Sequence, residues 1–187
     1  MAITIITTPG AADANSYVTV SGATSYHAAR LYSDLWNDAD PDDQAAALVM
    51  AAKFLDAMPG AWTGTATASG QALGWPRTGM LNRNGFPIAS GEIPVALKDA
   101  QSEFARQLLG SDLTETNAIV AQGINSLSAG PVSLSFQQSQ KEYLALRQKD
   151  AMNAVIPDAV RMLLVPSWLA DPRDEEAKYS GLIAEVL

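Results

Sequence analysis

The chain has 187 residues, of which 48% are apolar and 17% are charged, and it contains no cysteine. This length and apolar content suffice for one domain with a hydrophobic core, and the missing cysteines exclude disulfides and zinc–cysteine sites. The 12 basic and 20 acidic side chains give a net charge of −8, which disfavours binding to phosphate backbones, because Lys and Arg drive such binding.

The low charged fraction and the first residues of the chain lead to further expectations. A charged fraction below the usual quarter indicates that other chains cover part of the surface. Residues 1–6 have neither a basic segment nor a long apolar run, so they do not resemble a signal peptide. No stretch approaches the ~20 apolar residues of a membrane span. We therefore expect a soluble protein that is made in a cytoplasm and has no membrane partner.

The beginning of the chain predicts an arm followed by a helix. Residues 1–12 are interpreted as an N-terminal extended arm, and a short extended piece ends at Val20. Ser21 is suited to cap a helix over about residues 22–32. Trp36 follows in a short turn.

A second helix is predicted from Pro41 to about residue 57. Asp40 can cap it, Pro favours the first helical position, and the acidic residues that follow suit the positive end of the helix dipole. Apolar residues occur nearly all round this helix, so we expect it to be buried on several sides.

Residues 60–92 form a long connector without a helix or strand period. Its central run is Leu73-Gly74-Trp75-Pro76-Arg77-Thr78-Gly79-Met80, and a second turn-rich run covers residues 82–87. We expect an ordered loop that anchors Trp75 against the flanking helices, with the alternative that Trp75 only plugs the core. A connection of this length is either functional or held by a partner.

The next two elements differ in period. Pro94 opens an amphipathic helix to about Leu109, with a stripe of apolar residues on one face. The polar residues Lys98, Asp99, Gln101, Glu103 and Arg106 are expected to face away. Residues 119–136 then alternate, which predicts a β-hairpin with its turn at 128–131.

The C-terminal part is predicted in three pieces. Residues 139–152 are interpreted as a surface helix, and Pro157 starts a short helix that ends at Pro166. Apolar residues continue to the end of the chain, interrupted by a charged run at 171–176. Exposed apolar ends mark a contact site when their own domain does not cover them. We expect the segment from residue 157 onward to dock on another subunit or partner.

No catalytic or metal motif stands out. The single histidine, His27, is interpreted as structural. Asp38, Asp40 and Asp42 resemble the opening of a calcium loop, but the glycine and glutamate that such a loop requires are missing. Phosphate-binding, dinucleotide-binding and nucleophile-elbow motifs are absent from the sequence. We therefore expect a protein that is not an enzyme and has no catalytic residue, cofactor or metal.

Several stretches together, in chain order, resemble a family of tailed-bacteriophage head–tail connector (adaptor) proteins, often labelled DnaT-like single-stranded DNA-binding proteins. The resemblance covers roughly residues 13–169. The stretches are Ala14-Asn15-Ser16-Tyr17-Val18-Thr19-Val20, Gln71-Ala72-Leu73-Gly74-Trp75-Pro76-Arg77, Glu92-Ile93-Pro94-Val95-Ala96-Leu97-Lys98-Asp99-Ala100, Ile124-Asn125-Ser126-Leu127-Ser128-Ala129-Gly130 and Val132 to Phe136.

The resemblance implies a structural protein of the virion neck. Such adaptors form a ring, usually of twelve copies, below the portal, extend the DNA channel and dock the tail or stopper. Genomic DNA passes through the lumen without sequence-specific binding. The implied fold is mainly α: a small helical bundle with a β-hairpin, a long ordered loop and extended terminal arms.

With that resemblance, the chain divides into an arm (1–12), an adaptor domain (13–169) and a C-terminal arm (170–187). The bacterial host cytoplasm is then the expected place of synthesis. The residues assigned to contacts with the portal or a neighbouring subunit are Trp75, Arg77, Leu163, Leu164, Trp168, Leu169, Leu182, Ile183, Val186 and Leu187.

Two other classes stay open. A single-stranded DNA-binding protein needs aromatic side chains for base stacking within a basic groove. Trp62, Trp75, Arg77 and Arg83 could supply part of such a groove, although the net charge opposes it. A small phage enzyme or assembly chaperone is the other alternative, and absence from purified virions would favour it.

Overall fold

The computed structural model describes residues 3–57, 62–111, 126–129, 132–135 and 156–169. The fold is mainly helical with a small two-stranded antiparallel hairpin, as predicted. Within the described residues, no helix has the length and apolar character needed to span a membrane.

The first two helices differ slightly from the prediction. Helix α1 covers Val20–Ala28, and its N-cap is Thr19 rather than Ser21. The Thr19 hydroxyl accepts a hydrogen bond from the Gly22 N–H at 3.1 Å, which satisfies one of the free donors at a helix start. The predicted turn at Trp36 is a short helix, α2, over Asp34–Asn37, and it buries the Trp36 ring completely.

Helix α3 spans Pro41–Asp56 and confirms the predicted start. Asp40 stands at the N-cap position, but its side chain makes no capping hydrogen bond, so the expected role of that carboxylate was wrong. The helix is buried on several sides, as expected from its apolar residues: Ala45, Ala47, Leu48, Ala51, Ala52 and Leu55.

Helix α4 spans Val95–Leu108 with Pro94 as its N-cap residue. Its apolar stripe is buried as predicted, but Gln101 and Glu103 do not face solvent: they are 0% and 2% exposed. Gln101 lies at the centre of the core, where its amide donates to the Ser16 hydroxyl at 2.7 Å and to the Leu48 carbonyl at 2.8 Å. Its Oε1 accepts from the Tyr17 N–H at 2.9 Å. These bonds offset the cost of burying a polar amide and join the N-terminal segment, α3 and α4.

The connector is ordered, as expected, and contains a short ladder and an isolated bridge. Strand β1 (Thr65–Ala66) pairs antiparallel with β2 (Arg77–Thr78), and an isolated bridge joins Leu81 to Pro87. The peptide bond between Trp75 and Pro76 is cis.

Strands β3 (Ser126–Ala129) and β4 (Val132–Ser135) form the second antiparallel pair. Leu127 pairs with Leu134, and Ala129 pairs with Val132. The hairpin is therefore confirmed over these residues, and residues 119–125, where the predicted first strand begins, lie outside the described residues. The predicted surface helix at 139–152 lies outside the described residues.

The segment 156–169 packs on the chain's own core. Helix α5 covers Asp158–Leu163 with Pro157 as its N-cap residue, and a 3₁₀ turn follows over Pro166–Trp168. Val160, Leu164, Val165 and Trp168 are buried. The Thr63 N–H donates to the Trp168 carbonyl at 2.7 Å, which joins this segment to the connector. Residues 156–169 therefore belong to the core of their own domain, and the docking of the C-terminal segment on another subunit or partner stays a prediction.

Candidate nucleic-acid interface

The four tryptophans lie in the core and not on a surface groove. Trp36, Trp62, Trp75 and Trp168 are each at most 6% exposed. The Trp75 ring contacts the rings of Trp62 and Trp168 edge-on, with centroids 6.0 and 5.0 Å apart. Edge-to-face packing of this kind adds to the stabilisation from burial. Trp75 is therefore buried in the core beneath the connector, which fits both the predicted anchor and the alternative of a core plug, and neither Trp62 nor Trp75 is available to stack on a base.

Arg77 is also committed to the fold. Its guanidinium donates to the carbonyls of Thr63 at 2.6 Å, Gly74 at 2.9 Å and Gly64 at 3.0 Å. These three bonds use the planar fork of donors that makes Arg a good clamp for backbone oxygens. Arg77 thus holds the connector together and has little capacity left for a phosphate.

Asp56, at the end of α3, is the polar centre beneath the connector. Its carboxylate accepts hydrogen bonds from the Tyr17 hydroxyl, from Trp62 Nε1 at 2.9 Å and from the Gly74 N–H at 2.8 Å. Burial raises the pKa of Asp56, and the hydrogen bonds from Tyr17, Gly74 and Trp62 oppose that rise. Burial and the nearby Asp56 charge also raise the pKa of the Tyr17 hydroxyl, which stays a donor.

A different part of the connector presents an aromatic side chain to solvent. In the loop 81–87, Asn82 Oδ1 accepts from the N–H groups of Asn84 at 2.9 Å and Phe86 at 3.0 Å. The Asn82 N–H donates to the Phe86 carbonyl at 2.8 Å. Gly85 has φ +82°, which glycine adopts without strain. The loop is thus fixed by its own hydrogen bonds, and the Phe86 side chain is 64% exposed.

Two contacts attach this loop to the C-terminal segment. Trp168 Nε1 donates to the Leu81 carbonyl at 2.7 Å. Arg83 Nη2 lies 3.2 Å from the Met162 carbonyl and 3.4 Å from the Leu164 carbonyl, where a cation also suits the negative end of α5. The loop position is therefore set by the core.

Beside this loop is a cleft of about 350 Å³, which we call the Phe86 cleft after the loop that borders it. Its polar wall includes Asn82, Arg83 and Asn84, and its apolar wall includes Val95, Val165 and Trp168. Phe86 does not line the cleft but stands exposed on the same loop, and Glu92 adds a carboxylate to the cleft wall. A cation and amides in the wall, with an exposed phenyl ring on the bordering loop, are side-chain types that hold single-stranded nucleic acid through phosphate contact and base stacking.

The sequence interpretation did not single out Phe86. The available signal was Asn84-Gly85, a dipeptide typical of tight turns between short extended segments. Such a turn brings the residues at its ends to the surface, and Phe86 is the aromatic residue at that position.

The residues assigned to partner contacts fall into three groups. Trp75, Leu164 and Trp168 are buried in the chain's own core, so these side chains pack inside the subunit. Leu163 and Leu169 are partly buried against the same core, and Arg77 is bonded to carbonyls as described above. The remaining residues, Leu182, Ile183, Val186 and Leu187, lie outside the described residues.

His27 is placed in the core. Its Nε2 lies 3.1 Å from the Ser102 carbonyl and its ring is tilted against Trp36, with centroids 4.9 Å apart. Burial lowers the pKa of His27, so the neutral ring, donating from Nε2, fits this site. In the described part of the chain, His, Asp and Glu form no group of three that could hold a metal.

Residues 1–179 match the model of the protein family described as "Putative DnaT-like ssDNA binding protein". The match spans most of the chain, and the chain belongs to this family. Searches of curated proteins and of solved structures gave no match.

The family match corrects the sequence-based identification. The family is that of DnaT-like proteins and not a head–tail connector family, so the predicted neck adaptor, with its ring below the portal, was wrong. The alternative of a single-stranded DNA-binding protein agrees better with the family.

Proposed function

We propose that this protein binds single-stranded DNA, with the loop 81–87 and the Phe86 cleft as its contact surface. The observation that carries the proposal is Phe86, an exposed ring on a loop fixed by hydrogen bonds, next to Arg83. The description of the family supports the same ligand. The role proposed is binding, without a chemical reaction.

Phe86 would stack on a base. A phenyl ring accepts any base because every base has a flat π face. The loop is held by its own hydrogen bonds, so little ordering entropy is lost when a base stacks. Base discrimination is then expected to be weak.

Arg83 would meet the phosphate backbone. Its Nη2 is directed to the carbonyls at the end of α5, and the residue as a whole is exposed. A guanidinium with some donors fixed on the protein is oriented in advance for a phosphate. Asn82 and Asn84 add amide groups to the same wall.

The carboxylate that lines this cleft is Glu92, whereas the start of the acidic run between residues 34 and 43 lies away from it. The acidic run between residues 34 and 43 begins with Asp34, the first residue of α2. The next residue, Leu35, lies against Gly110, just beyond the C-terminal end of α4. The Phe86 cleft surrounds the N-terminal end of α4. A 14-residue helix is about 21 Å long, so the charge at the start of this run is largely screened from the cleft at physiological salt.

The test is a fluorescence-anisotropy titration of a labelled oligothymidylate at physiological salt, with a duplex of the same length as competitor. We expect the protein to bind the labelled single strand. The duplex should compete poorly for the protein, because duplex bases offer no free face for stacking. Binding that weakens as salt rises would support the Arg83 contact. Absence of binding at low salt as well would contradict the proposal.

A further inference from the structure

A second cleft, of about 500 Å³, lies beside the Phe86 cleft. We call it the Lys98 cleft; it is lined by Thr7, Thr19 and Lys98 among other residues. Glu92 and Val95 line both clefts, so the two clefts meet at these residues, at the N-terminal end of α4, and we call them together the groove. Val95, at the junction, is 67% exposed.

The groove carries one basic side chain in each cleft. Arg83 lines the Phe86 cleft and Lys98 lines the Lys98 cleft. Within the described residues, Lys98 takes part in no ion pair, although its charge acts on the carboxylate of the neighbouring Asp99. Two threonines beside it supply hydroxyl groups, which commonly contact phosphate oxygens.

We propose that a bound single strand runs from the Phe86 cleft across Val95 into the Lys98 cleft, where Lys98 contacts a backbone phosphate. This inference rests on the proposed function and extends it to a second contact point. A basic residue in each cleft with an exposed apolar residue between them matches a strand whose phosphates and bases need different surfaces.

The carboxylate of Glu92 opposes the binding of phosphates where the two clefts meet. Its exposed carboxylate belongs to both clefts, so it lies where the strand crosses from one to the other and repels the phosphates there. Removing that charge is therefore expected to strengthen binding, whereas removing the Lys98 charge weakens it. A general loss of structure would weaken binding in both variants. Opposite changes in affinity would therefore come from the charges themselves.

The experiment compares short and long oligothymidylates, of about 4 and about 12 nucleotides, a range that brackets common single-strand site sizes. The variants are Lys98→Gln, Glu92→Gln and the control Lys53→Gln, which removes the same charge from an exposed position on α3. We expect Lys98→Gln to lower affinity for the long strand several-fold and to reduce the salt slope by about 1, with little effect on the short strand. Glu92→Gln should raise affinity for the long strand.

The outcomes separate the two proposals. If Lys98→Gln and Lys53→Gln behave alike at both lengths while Phe86→Ala weakens binding, the second contact point is overturned and the proposed function stands. If the unaltered protein binds neither strand, the proposed function is wrong, and so is this inference, because it rests on that function. If Glu92→Gln weakens binding of the long strand, the path across Val95 is wrong.

Discussion

Asp56 Oδ2 accepts a hydrogen bond of 2.8 Å from the backbone N–H of Gly74, and this contact joins the end of α3 to the middle of the connector. The approach is so close that a side chain at Gly74 has no room: a Cβ there would lie 2.5 Å from Trp62 Cδ1 and 2.6 Å from Asp56 Oδ1. The connector is ordered because the core holds its centre through this contact and through Trp75.

Gly74→Ala should therefore destabilise the protein. The added methyl group must displace Trp62 or Asp56, and overpacking of this kind costs about 1–3 kcal/mol. Chemical denaturation monitored by circular dichroism measures the change in the free energy of unfolding.

The matched control for Gly74→Ala is Gly70→Ala in the same connector. A Cβ at Gly70 would meet nothing within 4 Å, so this variant should be as stable as the unaltered protein or slightly more stable. Equal stability of the two variants would contradict the close packing at Gly74.

Trp75 and Trp168 offer a second matched pair. Within the described residues Trp75 Nε1 is buried without a hydrogen-bond partner, whereas Trp168 Nε1 donates to the Leu81 carbonyl. Trp75→Phe and Trp168→Phe remove the same atoms, so their cavity costs are similar. Trp168→Phe should be the more destabilising by about 1 kcal/mol, because it alone loses a hydrogen bond. Thermal unfolding of both variants tests the difference, and a larger loss for Trp75→Phe would contradict it.

The sequence predicted the helical parts well because their periods are local signals. The apolar stripe of α4 was found, but Gln101 and Glu103 on the same helix were expected to face solvent. Their burial depends on partners far along the chain: Gln101 bonds to Ser16, and Glu103 to Arg30. A helical period identifies one apolar face and cannot show that another element covers a second face.

The candidate interface was less predictable for a related reason. Tryptophans are the expected stacking residues from composition, yet all four are needed to fill a core built under a long loop. Burial of Trp75 follows from contacts with Trp62 and Trp168, which are distant in sequence. Exposure of Phe86 follows from the Asn84-Gly85 turn, which belongs to the turn-rich run 82–87 recognised in the sequence but not connected there with an exposed aromatic side chain.

Glu103 gives the fold a dependence on pH. Its carboxylate is bonded to Arg30 at 2.6 Å and to Arg106 at 2.8 Å. Burial alone would raise the pKa of Glu103, but the hydrogen bonds from Arg106 and Gln107 and the charges of Arg106 and Arg30 outweigh burial and lower it. Because the pKa is lower in the folded state, the stabilisation is complete above the ordinary carboxyl value of 4.5 and is lost as the pH falls through the folded value.

Glu103→Gln should accordingly cost about 1–3 kcal/mol near neutral pH. The difference from the unaltered protein should shrink as the pH is lowered from about 6 to about 3, because the unaltered carboxylate then becomes protonated. Denaturation curves across this range provide the measurement. A difference that stays constant, or grows, towards low pH would show that the ion pairs contribute nothing to stability.

The central claim is tested most directly by the affinity of Phe86→Ala for a labelled oligothymidylate, compared with that of Tyr32→Ala. Tyr32 is the matched control, since it is an aromatic residue 83% exposed that lies outside the loop 81–87. Loss of one stacking contact costs about 1–3 kcal/mol, so Phe86→Ala should weaken binding roughly 5- to 100-fold, with unfolding curves unchanged. Tyr32→Ala should bind like the unaltered protein. Equal affinity of Phe86→Ala and the unaltered protein would contradict the account.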